Sequence, residues 1–160
     1  MRAFMIFPLI WRAPRPSDLS NMIAVYSKTW CPNGFSLTFF GHILTDSQRW
    51  AEHLNRTYDC HKNHEMIHLR QAQSTGNSWW LFYVKYLYFS LNAIRYWRDV
   101  SKAYYYMNPF EMEAYAHQDD LQYADKMKEN GAEGWRRIAN MNKSQKIDFL
   151  KKHGIGKHRI

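Results

Sequence analysis

A chain of 160 residues with 46% apolar and 17% aromatic residues carries enough surface to bury for one compact domain; a disordered chain and a comfortable split into two domains are both excluded. The net charge of +8 sits mainly in the tail, where residues 131–160 hold eight Lys/Arg against Glu133 and Asp148. Two cysteines, Cys31 and Cys60, are too few for a disulfide scaffold and lack metal-ligand spacing, so they are expected as thiols, with a Cys31–Cys60 pair as the alternative.

Met1 to Ile10 is a short apolar run that Pro8 interrupts with no small-residue cleavage site after it, which argues against a removable signal peptide. Residues 12–20, with two prolines, read as an irregular connection. Met22–Lys28 and Phe35–Leu44 are rich in β-branched and aromatic residues, and Cys31-Pro32-Asn33-Gly34 has hairpin-loop chemistry, which predicts a small antiparallel sheet. From Thr45 the period turns helical, with Thr45 and Gln48 spaced as a capping box. A second helix starts near Asp59, carries Met66, Ile67 and Leu69, and stops at Ser74-Thr75-Gly76-Asn77.

Trp79 to Trp97 approaches bilayer length, but Lys85, Asn92 and Arg95 interrupt it. It reads as a buried helix whose stripe of Trp79, Trp80, Phe82, Tyr83, Tyr86, Leu87, Phe89 and Ser90 forms core; a helix lying in a membrane interface is the alternative. A last long helix runs from Asn108 (N-cap) and Pro109 (first turn) to Asn130-Gly131, and Ser144 to His153 forms a short basic helix. The fold expected is α+β: a mainly helical single domain over residues 1–130 with a small N-terminal antiparallel sheet, then a basic C-terminal extension over 131–160.

The chemistry-bearing segment is Asn63-His64-Glu65-Met66-Ile67-His68-Leu69-Arg70-Gln71, which contains H-E-x-x-H. On a helix, residues four apart share a face, so the imidazoles of His64 and His68 can converge on one ion about 2 Å from each. Glu65 leans to the same side, close enough to take a proton from a metal-bound water, which makes it the general-base candidate.

A catalytic zinc of this kind needs a third protein ligand. The best donor lies in Asn108-Pro109-Phe110-Glu111-Met112-Glu113-Ala114-Tyr115-Ala116-His117, where Glu111, Ala114 and Tyr115 share a face and the small Ala114 permits close helix packing. Glu111 also suits a simple helix-capping role three residues after Asn108. Glu113, turned roughly 200° away along the helix, His117 and His61 are the competing third ligands. Tyr115, Tyr104 to Tyr106 and His117 are candidates for steadying an oxyanion.

The two segments, with an aromatic helix between them, resemble the gluzincin class of zinc metallopeptidases over about residues 58–125. More closely, they look like a family of small, uncharacterised bacterial proteins with an H-E-x-x-H-x-x-Q helix followed by F-E-x-E-A-Y. The third-ligand motif E-x-x-A-D of prenyl-protein endopeptidase-type gluzincins, laid on this chain, puts the ligand at Glu111. Tyr115 then stands where that motif has Asp, so that another residue, Glu113 or Asp119, would have to orient a histidine. The resemblance implies a zincin-like fold with a short sheet beside the metal helices, a Zn2+ cofactor and a peptide or protein substrate.

Two further readings compete with a zinc metallopeptidase. One is a zinc-stabilised binding module without turnover. The other gives the basic tail, Arg136 to Arg159, a partner in nucleic acid or in an anionic membrane surface. The expected location is the cytoplasm, with peripheral membrane association as the variant.

Overall fold

The computed structural model describes residues 13–31, 36–130 and 133–156. Its architecture is α+β and mainly helical. Three short strands form the sheet, β1 (Ile23–Tyr26), β2 (Ser36–Phe39) and β3 (His42–Thr45), in the order β1-β3-β2.

The sheet is mixed where an antiparallel one was expected: β2 and β3 are antiparallel, but β1 runs parallel to β3, with Ile23 beside His42. The tight hairpin falls at Phe40-Gly41, so Phe35–Leu44 is two strands and not one. Both turn residues have positive φ, 45° and 86°, the two-residue loop whose twist matches its flanking strands. The loop expected at Pro32-Asn33-Gly34 lies outside the described residues, as does the run Met1 to Ile10. On the outer edge of β1 the Asn55 amide stands in for a strand, bonding the N–H and the carbonyl of Ala24 at 2.8 Å each.

Helix α1 (Gln48–Arg56) is capped by Ser47, whose hydroxyl accepts from the Trp50 N–H. Thr45, expected as the cap, instead ends β3 and donates its hydroxyl to the Ser47 carbonyl. Asp59 caps α2 (Cys60–Ser74), and every residue from Lys62 to Ala72 is buried. Such burial is tolerable only because the polar side chains on α2 are partnered: Lys62 donates to the Met22 carbonyl and Arg70 to that of Ala124.

The aromatic segment forms α3 (Trp79–Ile94). One face, Trp79, Phe82, Tyr83, Tyr86, Phe89 and Ala93, enters the two cores. The other does not: Trp80 and Leu87, expected as core, are 63% and 59% exposed. A short α4 (Ala103–Tyr106) leads to α5 (Pro109–His117), whose cap Asn108 also donates to the Tyr86 carbonyl and the Ser90 hydroxyl, fastening the start of α5 to α3.

The expected long helix breaks after His117 and resumes as α6 (Tyr123–Asn130). The cause is Asn63, whose amide nitrogen bonds the carbonyls of His117, Gln118 and Asp120 at 2.8–3.2 Å and so draws them away from the helical ladder. Asp120 then accepts from the Gln122 N–H and helps start α6.

The basic stretch folds into α7 (Gly134–Ala139) and α8 (Lys143–Lys152), the latter begun by an Asn142/Gln145 capping box. Trp135 joins the main core beside Phe110, while Ile138, Leu150 and Ile155 build a second cluster with Met107 and Met112. Cys31 and Cys60 are thiols and not a disulfide. No helix among the described residues is long and apolar enough to cross a membrane.

Candidate metal centre

Helix α2 presents His64, Glu65 and His68 to a cleft walled by β2, by α3 and by Tyr105 of α4. Helix α5 brings Glu111 to the same point, because Asn108 anchors its first turn and Ala114 is small enough to be fully buried behind it. The Nε2 atoms of His64 and His68 lie 3.4 Å from the two oxygens of Glu111, one each. Donors that each sit about 2.0–2.1 Å from one tetrahedral ion are separated by roughly 3.4 Å, so this spacing fits a divalent metal. Among the described residues these three are the group whose donor atoms converge, all within 4.8 Å of one another, and all three are buried.

The carboxylate of Glu111 is half satisfied. Its Oε1 accepts from the Tyr86 hydroxyl at 2.8 Å, whereas Oε2 is buried with no hydrogen-bond partner among the described residues. A buried orphan acceptor between two imidazoles is what a bound cation would complete. Two histidines and a carboxylate are a donor set for a divalent transition metal.

The two histidines and Glu111 also shift one another's titration. Burial alone would push the Glu111 carboxyl up, but His68 and His64 beside it outweigh burial and hold it well below the usual carboxylate range. Burial likewise disfavours a charged His68 ring, yet the Glu111 carboxylate, with Glu65 behind it, raises that imidazole to about 9.

Each histidine is oriented through Nδ1. The Gln71 side-chain oxygen lies 2.7 Å from Nδ1 of His68, and that of Gln118 lies 3.2 Å from Nδ1 of His64. An Nδ1–H donated to these amides leaves the Nε2 lone pair of each ring for a metal shared with Glu111. Amides thus do what was expected of a carboxylate. Glu113 acts at one remove: its Oε2 accepts from Gln71 Nε2 at 2.8 Å and its Oε1 from the Tyr123 hydroxyl at 3.0 Å. The carboxylate is fully buried and, burial dominating, its pKa is raised. Gly134 makes room for it, since a Cβ there would lie 2.0 Å from Glu113 Oε1.

Glu65 is held from β2: the Thr38 hydroxyl donates to its Oε2 at 2.5 Å, and Tyr83 fixes that strand by bonding the Thr38 carbonyl and the Phe40 N–H. Of the expected oxyanion donors, Tyr105 lines the cleft and Tyr115 an adjoining pocket that His64 also lines, its ring edge-on to that imidazole with centroids 4.6 Å apart and its hydroxyl 3.0 Å from that of Tyr105. Burial first, then Glu111 for Tyr105, pushes both phenols up, so they stay protonated as donors. The other expected donors are elsewhere: His117 is stacked on Tyr123, Tyr104 is exposed, and Tyr106 packs on Tyr115; Asp119, expected as a carboxylate that orients a histidine, is exposed. His61 lies at the outer rim against Trp50.

Thr38, Gln71, Gln118 and Tyr86 carry no role at the site that the sequence pointed to, whereas Tyr105, one of the expected oxyanion donors, does line the cleft. Of those four only Gln71 carried a signal, three residues beyond His68 on one helix face. No family model, curated protein or solved structure matches the chain, and the site stands on its own geometry.

Proposed function

We propose that the protein is a zinc-dependent metallopeptidase, with His64, His68 and Glu111 as ligands and Glu65 as general base. The observation that carries this reading is the paired 3.4 Å approach of the two imidazoles to Glu111, with a second carboxylate beside them kept out of the ligand set by its bond to Thr38. A bound zinc would supply the Lewis acidity that acidifies a water and polarises a scissile carbonyl. Glu65 takes the water's proton and passes it to the leaving amine. Thr38 fixes the plane of that carboxylate, and Gln71 and Gln118 fix the imidazole tautomers. Tyr105 and Tyr115 donate to the oxygen that gains charge. The apolar wall of Leu37, Phe82 and Tyr83 favours a peptide with an apolar side chain next to the cleaved bond.

The test is metal content and hydrolysis of a mixed fluorogenic peptide library by the wild type, His64→Ala, Glu111→Ala and Glu65→Gln. The expected result is one zinc per wild-type chain, loss of zinc in the first two variants, and zinc retained with at least about a hundredfold loss of rate in Glu65→Gln. Zinc in all four proteins would remove the site. Zinc held by a wild type that cleaves nothing would make the protein a metal-stabilised binding module.

A further inference from the structure

The outward face of α3 is apolar along its whole length. Trp80, Val84, Leu87, Tyr88, Leu91 and Ile94 are each 49–64% exposed. At 100° per residue they fall within one stripe some 120° wide, on a helix about 24 Å long. The opposite face is already spent on the core and the metal cleft; of this second stripe Trp80 meets Phe40 edge-on, centroids 5.1 Å apart, and all six side chains keep about half or more of their surface exposed. A contiguous exposed patch of this size on a folded domain marks an interaction surface.

We propose that this face docks onto an anionic lipid bilayer, with α3 lying in the plane of the interface. Charge selects this occupant. From Met66 to Arg98 the chain has no Asp or Glu, while Arg95 and Arg98 lie at the end of α3; Lys85, farther round the helix, sits 5.0 Å over the Trp135 ring. Asp99, the first acid beyond, is bonded to Lys143 at 2.9 Å. A second copy would bring the same uncompensated positive charge against this one. A specific protein partner would need directional polar contacts, and the stripe offers only the Tyr88 hydroxyl and the Trp80 indole N–H. These two amphipathic rings suit a membrane–water boundary. At the end of the helix Arg95 stacks on Tyr96 at 4.9 Å and Arg98 on Trp97 at 5.3 Å, pairs that keep an apolar ring and a cation at one depth, as a phosphate-bearing headgroup layer requires. The proposal is independent of the metal centre.

The experiment is co-sedimentation of the full chain with vesicles of phosphatidylcholine alone and of phosphatidylcholine mixed with phosphatidylglycerol, beside analytical ultracentrifugation without lipid. The wild type should bind the anionic vesicles, with affinity falling as salt rises. Leu87→Glu with Leu91→Glu should weaken binding by at least about tenfold, with unchanged circular dichroism and melting temperature, since both side chains are exposed. Arg95→Ala with Arg98→Ala should flatten the salt dependence. A wild type that ignores both vesicles, or a double-Glu variant that binds as the wild type does, overturns the proposal. So does a lipid-free oligomer that the double-Glu substitution dissolves, which would assign the face to a second copy.

Discussion

At the scale of single residues, His68 and Glu111 tie the metal centre to pH. Zinc takes a neutral imidazole, whereas the metal-free His68, raised to about 9, is protonated at pH 7.5. Zinc binding should therefore release close to one proton at that pH, read by calorimetry in two buffers of different ionisation enthalpy. No release would mean that His68 is not a ligand. Stability of the metal-free protein follows the same pair. A raised His68 contributes in full below its ordinary 6.5 and less as pH climbs through 9, while the lowered Glu111 contributes above its ordinary 4.5 and less as pH falls below it. The metal-free melting temperature should be highest between these limits and decline toward pH 9. His64 and His68 were legible because a four-residue helical spacing puts them on one face, with Glu65 beside the first; Glu111 stood against Glu113, His117 and His61, and the resemblance to gluzincins is what pointed to it. Gln118 and Thr38 were not legible, since each arrives from a segment whose path only the tertiary structure sets.

At the scale of elements, Asn63 decides where α5 ends and where Gln118 points. Asn63→Ala leaves three carbonyls without this partner and should cost about 3 kcal/mol, measured by chemical denaturation. Zinc affinity should drop as Gln118 loses its purchase on His64. An unchanged denaturation midpoint would show that the break in the helix does not need this side chain. The sequence marked the caps at Asp59 and Asn108 well, because a short polar side chain before an apolar run is a local signal. It missed the break at residues 118–122, where a residue 54 positions away competes for the carbonyls. The sheet was misread for a related reason: the turn lies at Phe40-Gly41, and a phenylalanine with positive φ leaves no trace in composition. The two-faced α3 was read as core because hydrophobic periodicity reports that a face is apolar and not what covers it.

At the scale of the whole molecule, α2 is the axis around which the sheet, α3, α5 and α6 gather, so a metal bound to its middle should stabilise the entire fold. At a free zinc concentration a hundred times the dissociation constant the gain is about 2.7 kcal/mol, a rise in melting temperature on the order of 5–10 °C, which a chelator should reverse. A melting temperature indifferent to chelator would separate the site from the stability of the fold.

Gly134 carries a consequence for assembly in time. The three groups proposed as ligands are all translated by residue 111, but the bare backbone that leaves room for Glu113 comes only at 134, and Glu113, with the Phe110 carbonyl, bonds the Gln71 amide that lies against His68. A nascent chain halted before α7 therefore carries all three metal-binding groups with one imidazole still loosely aimed. On the proposed reading, tight metal capture would be a late event of synthesis, finished from the carboxyl-terminal side.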